Sequence, residues 1–164
     1  MARATAEAVT GYQRTYPGRA DRIREVRRDL AGYLNECPVA DDLVLIADEL
    51  AANCIMHTRS RGASFHVRCE LSSGTARIEV EDMGGPWRPR KPGDRPHGLD
   101  IVAALTGSDG WGTEPADDGG RVVWARLSWE SGARPRRTRG PGARITRTRW
   151  PRLPPWPRAP RHPR

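Results

Sequence analysis

The clearest apolar pattern in the chain lies between residues 41 and 57. Leu43, Ile46, Ala47, Leu50 and Cys54 recur at i, i+3, i+4, i+7 and i+11, which is one face of a helix. Leu45, Ile55 and Met56 add apolar surface elsewhere, so this helix is expected to be covered on more than one side. Asp41 or Asp42 stands where an N-cap belongs, and the helix runs to about His57. Upstream, Arg19–Glu36 reads as an amphipathic helix with Ile23, Val26, Leu30 and Leu34 on one face, ended by Pro38. Arg59–Gly62 reads as a turn. Beyond it the period changes to two. Phe65, Val67, Cys69 and Leu71 alternate with polar residues, as do Ala76, Ile78 and Val80, and Ser72-Ser73-Gly74 between them is a hairpin signal. Gly98–Leu105 is a short apolar helix ended near Gly107, Ser108–Gly120 is a loop with room for a short strand near Trp111, and Arg121–Trp129 is a last strand. Met1–Pro17 has little apolar periodicity and is expected to be poorly ordered.

This order of elements predicts an α+β fold. It is a two-layer α/β sandwich, with a mostly antiparallel sheet covered on one face by helices. The domain is expected over residues 16–130, after a flexible N-terminus at 1–15 and before a tail at 131–164. Pro86–His97 contains Pro86, Pro89, Pro92 and Pro96 with several basic residues, and regular structure is not expected there.

Charge changes the picture once it is divided along the chain. The formal net charge is +8, yet residues 131–164 hold eleven arginines and no acid, which leaves residues 1–130 at −3. That segment also has eight prolines, and it reads as a disordered tail. Trp150 and Trp156 among its arginines would suit single-stranded nucleic acid or an acidic surface. A solvated tail without a defined partner is the simpler account, and nucleic acid is not expected as a partner. No run of 18 apolar residues exists, so no membrane segment is expected, and Met1–Thr10 lacks the apolar run of a signal peptide. Cys37, Cys54 and Cys69 are odd in number and far apart, which argues against a disulfide framework or a zinc site and for buried thiols in a reducing cytoplasm.

Three pieces of the chain ask for a common explanation. Glu49, Asn53 and His57 form a polar stripe at i, i+4 and i+8 beside the apolar face of the central helix. Half-sunk polar groups there are costly unless paired. The second piece, Asp82-Met83-Gly84-Gly85, closes a strand with an acid and two glycines. The third, Gly98-Leu99, opens an apolar helix after the proline-rich loop. A nucleotide accounts for all three. Asp82 can accept the exocyclic amine hydrogen of adenine, and Gly84 and Gly85 let backbone approach the ring. A helix N-terminus at Gly98 offers N–H groups to phosphates. Asn53 is a neutral oxygen ligand for Mg²⁺, and Glu49 can orient or deprotonate an attacking hydroxyl or water. The loop 86–97 would then be a lid, with Arg88, Arg90, Lys91 and Arg95 within reach of phosphate. Singly, each piece has a plainer reading as a solvated helix edge, a turn or a helix cap; His57 is given no role.

At these residues the sequence resembles the ATP-binding domain shared by histidine kinases, Hsp90-type chaperones, gyrase and MutL (the GHKL group, with the Bergerat-type fold). More narrowly, it is similar to the short bacterial anti-sigma-factor serine/threonine kinases. The resemblance covers about Tyr16–Trp129. Asp48–His57 is similar to the family's first motif, Val80–Gly85 to its adenine-binding strand end, His97–Val102 to the glycine-leading helix, and Gly119–Ala125 to the closing strand. Pro96 stands where the family often has a further glycine, and Val122 or Val123 where it often has a threonine. The resemblance implies ATP and Mg²⁺ as cofactors, Glu49 as the catalytic acid or base, and Asn53 as the metal ligand. It implies nucleotide contacts at Asn53, Asp82, Gly84, Gly85, Gly98 and Leu99. The activity it implies is phosphorylation of a serine or threonine on a small antagonist protein, with a sigma-factor-like client as a second partner and a homodimer as an option. A non-catalytic interaction module, with or without nucleotide, is the alternative.

Overall fold

The computed structural model describes residues 10–84, 98–107, 109–116 and 119–130. Alternation of apolar and polar side chains builds one sheet from five strands: β1 (Thr10–Pro17), β2 (Ser64–Ser72), β3 (Thr75–Asp82), β4 (Trp111–Pro115) and β5 (Arg121–Ser128). Their order across the sheet is β1-β2-β3-β5-β4, and every neighbouring pair is antiparallel. Register decides which face is apolar. Val67 lies opposite Val80, which lies opposite Val123; Cys69, Ile78 and Ala125 form the next row. These six side chains are buried on the inner face. The two-residue turn Ser73–Gly74 joins β2 to β3 with Gly74 at φ 74°, as the hairpin signal requires.

Three helices supply the second layer: α1 (Ile23–Tyr33), α2 (Ala40–His57) and α3 (Gly98–Thr106). The central helix α2 packs against α1 on one side, α3 on another and β3 beneath. It buries Leu43, Ile46, Ala47, Leu50, Ala51, Cys54 and Ile55, so it is covered on more than one side, as its composition implies. Val26 and Leu30 of α1 and Tyr16 and Phe65 of the sheet complete the fully buried centre. Removing a side chain of this size from water contributes about 1.5–3 kcal/mol each. The fold is the α+β two-layer sandwich expected from the sequence.

Several local expectations are corrected. Residues 10–17 are a strand, not a poorly ordered leader. β1 escapes the pattern because its inward positions are Tyr12, Arg14 and Tyr16, paired with Cys69, Val67 and Phe65. Arg14 breaks the apolar alternation, yet it forms an ion pair with Asp29 and lies 5.2 Å above the Tyr16 ring. The Tyr16 hydroxyl donates to Asp29 Oδ2 at 3.0 Å, which ties the strand to α1. The first helix is shorter than Arg19–Glu36: a single 3-10 turn at Ala20–Arg22 precedes α1. Neither Asp41 nor Asp42 caps α2. Val39 holds that position without a side-chain bond, and the two aspartates sit in the first turn, where they complement the helix dipole.

The expectations for residues 1–9, for the lid and its Arg88, Arg90, Lys91, Arg95 and Pro96, for Gly85, and for the tail fall outside the described residues. Among the described residues, no helix is long and apolar enough to cross a membrane.

Candidate functional site

The site is built on the edge of α2 that faces away from the apolar core. Its i, i+4 spacing leaves Glu49 and Asn53 half-buried one turn apart, with His57 exposed at the helix end. The Asn53 amide nitrogen is buried and meets no hydrogen-bond partner among the described residues. A buried amide donor without a partner costs on the order of 1–3 kcal/mol, so this position calls for an external ligand.

Glu49 is where α2 meets α3. Gly98, the first residue of α3, lies so close that a Cβ built on it would collide with the Glu49 carboxylate and come within 2.9 Å of the Glu49 Cβ. Only glycine brings the start of this helix onto that carboxylate. Leu99 follows half-buried against the core and seats the helix, with Val102 fully buried behind it.

The third part is the end of β3. Asp82 is only 5 % exposed, although it is a carboxylate. Its Oδ1 accepts the Gly84 N–H at 2.6 Å, closing a tight turn in which Gly84 takes φ 72°. A side chain on Gly84 would be strained by that φ and would also collide with the Gly119 carbonyl. Burial raises the pKa of Asp82 above its ordinary value, and the Gly84 N–H and the Arg121 charge work against that rise. Arg121 is the cross-strand neighbour of Asp82 on β5. Behind this turn lies Cys54 of α2. Its thiol is pushed up to about 11, first by burial, with the Asp82 charge adding to the effect.

The sequence-derived residues are therefore distributed as follows. Glu49 and Gly98 are in contact, Asp82 and Gly84 are bonded to each other, and the Asp82 turn lies close to the α2 residue that follows Asn53. Sequence reasoning passed over two contributors, Arg121 and Ser60. Ser60 is fully buried in what reads as a plain turn, and its Oγ accepts the Met83 N–H at 3.0 Å. A small hydroxyl just after a helix end was the available signal.

The orphaned Asn53 N–H group suits an anionic oxygen such as a phosphate's, and the amide oxygen beside it is a neutral donor of the kind Mg²⁺ accepts. Among the described residues, no cluster of three His, Cys, Asp or Glu side chains could hold a metal ion by itself. A cation here would depend on neutral Asn53 together with oxygens brought by its ligand, which is how Mg²⁺ is commonly held beside phosphates.

Residues 16–127 match the model of the histidine kinase-like ATPase domain, and the chain belongs to that family. Membership implies that the domain binds ATP. A solved structure with a similar fold is that of the RsbU and RsbW domains of Rv1364c from Mycobacterium tuberculosis. It is 22% identical, with a TM-score of 0.58, over 76% of this chain and 34% of that one. The chain thus spans about a third of the length of that neighbour. A search of curated proteins finds no match.

Proposed function

We propose that this protein is an ATP-binding regulator that transfers phosphate to a serine or threonine of a small antagonist protein, in the manner of anti-sigma-factor kinases. The observation that carries this reading is the contact between the Glu49 carboxylate and the glycine start of α3, beside the unpartnered Asn53 amide. That contact supports Glu49 as the proton acceptor next to a helix start suited to phosphate, with Asn53 one turn along α2 as the metal ligand. The family assignment supports the nucleotide, and the sequence resemblance supports the regulatory role; the fold shared with a structure containing an RsbW domain agrees with both.

In this reading Asp82 accepts a hydrogen from the adenine amine through its carboxylate, which the Gly84 and Arg121 backbone N–H groups hold in place. Gly84, with Gly85, keeps side chains away from the ring, and Leu99 seats the helix whose N–H groups at Gly98 face phosphate. Asn53 offers its amide oxygen to Mg²⁺. Bound Mg·ATP supplies the γ-phosphoryl group and the charge that offsets its transfer. Glu49 orients the attacking hydroxyl and takes its proton. The ATP-binding unit extends over residues 10–130, first strand included. A sigma-factor-like client and the antagonist are its protein partners, with homodimer formation as an option, and the cytoplasm is its compartment.

The test is a thermal-shift titration with Mg·ATP, followed by phosphosite mapping on proteins that co-purify. A nucleotide-dependent rise in midpoint and a phosphorylated serine or threonine on a partner are expected. No shift would remove the whole reading. A shift without transfer would favour the non-catalytic module, which the buried Val123 on the closing strand, in place of a polar residue, also favours.

A further inference from the structure

The turn after α2 grips the end of β3 at two points. The Ser60 Oγ accepts the Met83 N–H at 3.0 Å, and the Arg59 N–H donates to the Gly84 carbonyl at 2.8 Å. Both partners lie just past the last strand residue, Asp82, where the ladder with β5 stops. The Met83 side chain is 43% exposed, so its backbone N–H is its firmest tie to the fold. The Asp82 carboxylate is therefore held from two sides, by the Gly84 N–H within this pinned turn and by the backbone N–H of Arg121 across the strand.

Ser60 is itself held from α2. The Ser60 N–H donates to Thr58 Oγ1 at 3.1 Å, and the Thr58 hydroxyl donates to the Cys54 carbonyl at 2.6 Å. The far side of the turn is fixed as well, since the Ala63 N–H donates to the Ser60 carbonyl at 2.9 Å and the Gly18 N–H donates to the Ala63 carbonyl at 2.9 Å. A fully buried serine hydroxyl is costly unless bonded, and this one is bonded to a backbone amide 23 residues away.

We propose that Ser60 is a positioning residue for base recognition, its hydroxyl holding the Met83 amide so that the Asp82 carboxylate points at the adenine amine. The inference rests on the reading of Asp82 as the adenine acceptor. It adds that base selectivity is set by the α2 end through the relay Cys54–Thr58–Ser60–Met83. A Ser60→Ala variant keeps the turn but leaves the Met83 N–H without its acceptor.

The experiment is calorimetric titration of parent and Ser60→Ala with Mg·ATP and with Mg·ITP, whose base carries a carbonyl oxygen in place of the amine. The parent is expected to prefer ATP. Ser60→Ala is expected to lose about tenfold in ATP affinity, the scale of one hydrogen bond, with ITP affinity within twofold of the parent. Equal weakening of both nucleotides would mean a merely structural role and overturn the inference. A parent that binds both equally would overturn the reading of Asp82, and with it the inference. A second measurement needs no nucleotide. Amide exchange at Met83 should quicken about tenfold in Ser60→Ala, and also in Thr58→Val if the alanine variant does not fold. Unchanged protection at Met83 would overturn the proposal.

Discussion

Gly98 lies against the carboxylate of Glu49 so closely that no other residue fits there without moving one of them. The start of α3 and the acid of α2 are thus a single contact surface, and a methyl group is enough to part them. Gly98→Ala is expected to weaken Mg·ATP binding at least tenfold and to lower the melting midpoint of the free protein by several degrees. The second figure follows from about 1–3 kcal/mol of overpacking. Fluorimetric melts with and without nucleotide read both effects. Parent-like affinity would show that the carboxylate yields freely and that the contact has no part in binding.

Glu49→Gln keeps the shape of the side chain and removes its capacity to take a proton. The thermal shift with Mg·ATP should survive, while phosphate transfer to a partner serine or threonine should fall by about 100-fold or more. Labelled-phosphate transfer to a co-purified partner measures this. Transfer at the parent rate would assign the proton acceptor elsewhere.

Asp82 gives a pH dependence with a definite sign. Burial raises its pKa in the folded protein, so the fold favours the protonated acid. That contribution is full below the unfolded pKa and is lost as pH rises through the folded one. Asp82→Asn is therefore expected to stabilise the nucleotide-free protein near neutral pH, with the gain vanishing in strong acid. Binding has the opposite sense, because the ionised carboxylate is the better acceptor for the adenine amine. The ratio of ATP to ITP affinity should fall as pH drops through the folded pKa, and it should be flat and near one in Asp82→Asn. Using the ratio cancels titration of the triphosphate common to both ligands.

The thiols should be silent in the native state. Burial pushes Cys54 to about 11 and Cys69 to about 12, and thiolate is the reactive form. A thiol reagent at pH 8 is expected to leave both unmodified until the chain unfolds, with Cys37, which is half-buried, the first to react. Mass mapping after a short pulse decides it. Early labelling of Cys54 would mean that the floor beneath Asp82 opens in solution.

The parts of the fold legible in the sequence were those where one face of an element is uniformly apolar. The helix at Leu43–Cys54 and the alternations of β2, β3 and β5 are of this kind. β1 was not legible because Arg14, half exposed, breaks the apolar alternation between Tyr12 and Tyr16, and its partners, Asp29 and the Tyr16 ring, are not encoded by a local pattern. The same contrast holds in the site. Glu49, Asn53, Asp82 and Gly98 could be singled out by residue type and spacing. Ser60 and Arg121 were harder to single out, since Ser60 bonds Met83 and Arg121 faces Asp82 across pairings between distant segments, with only a hydroxyl after a helix end as a local hint.

One consequence follows from the position of α2. A single helix carries Leu43, Ile46 and Leu50 into the interior and Glu49 and Asn53 on its half-buried edge, so a ligand held by that edge would also hold the interior together. At a nucleotide level one hundred times its dissociation constant, the folded state would gain about 2.7 kcal/mol. Proteases that cut transiently opened chains would then act more slowly on the nucleotide-bound protein than on the free one.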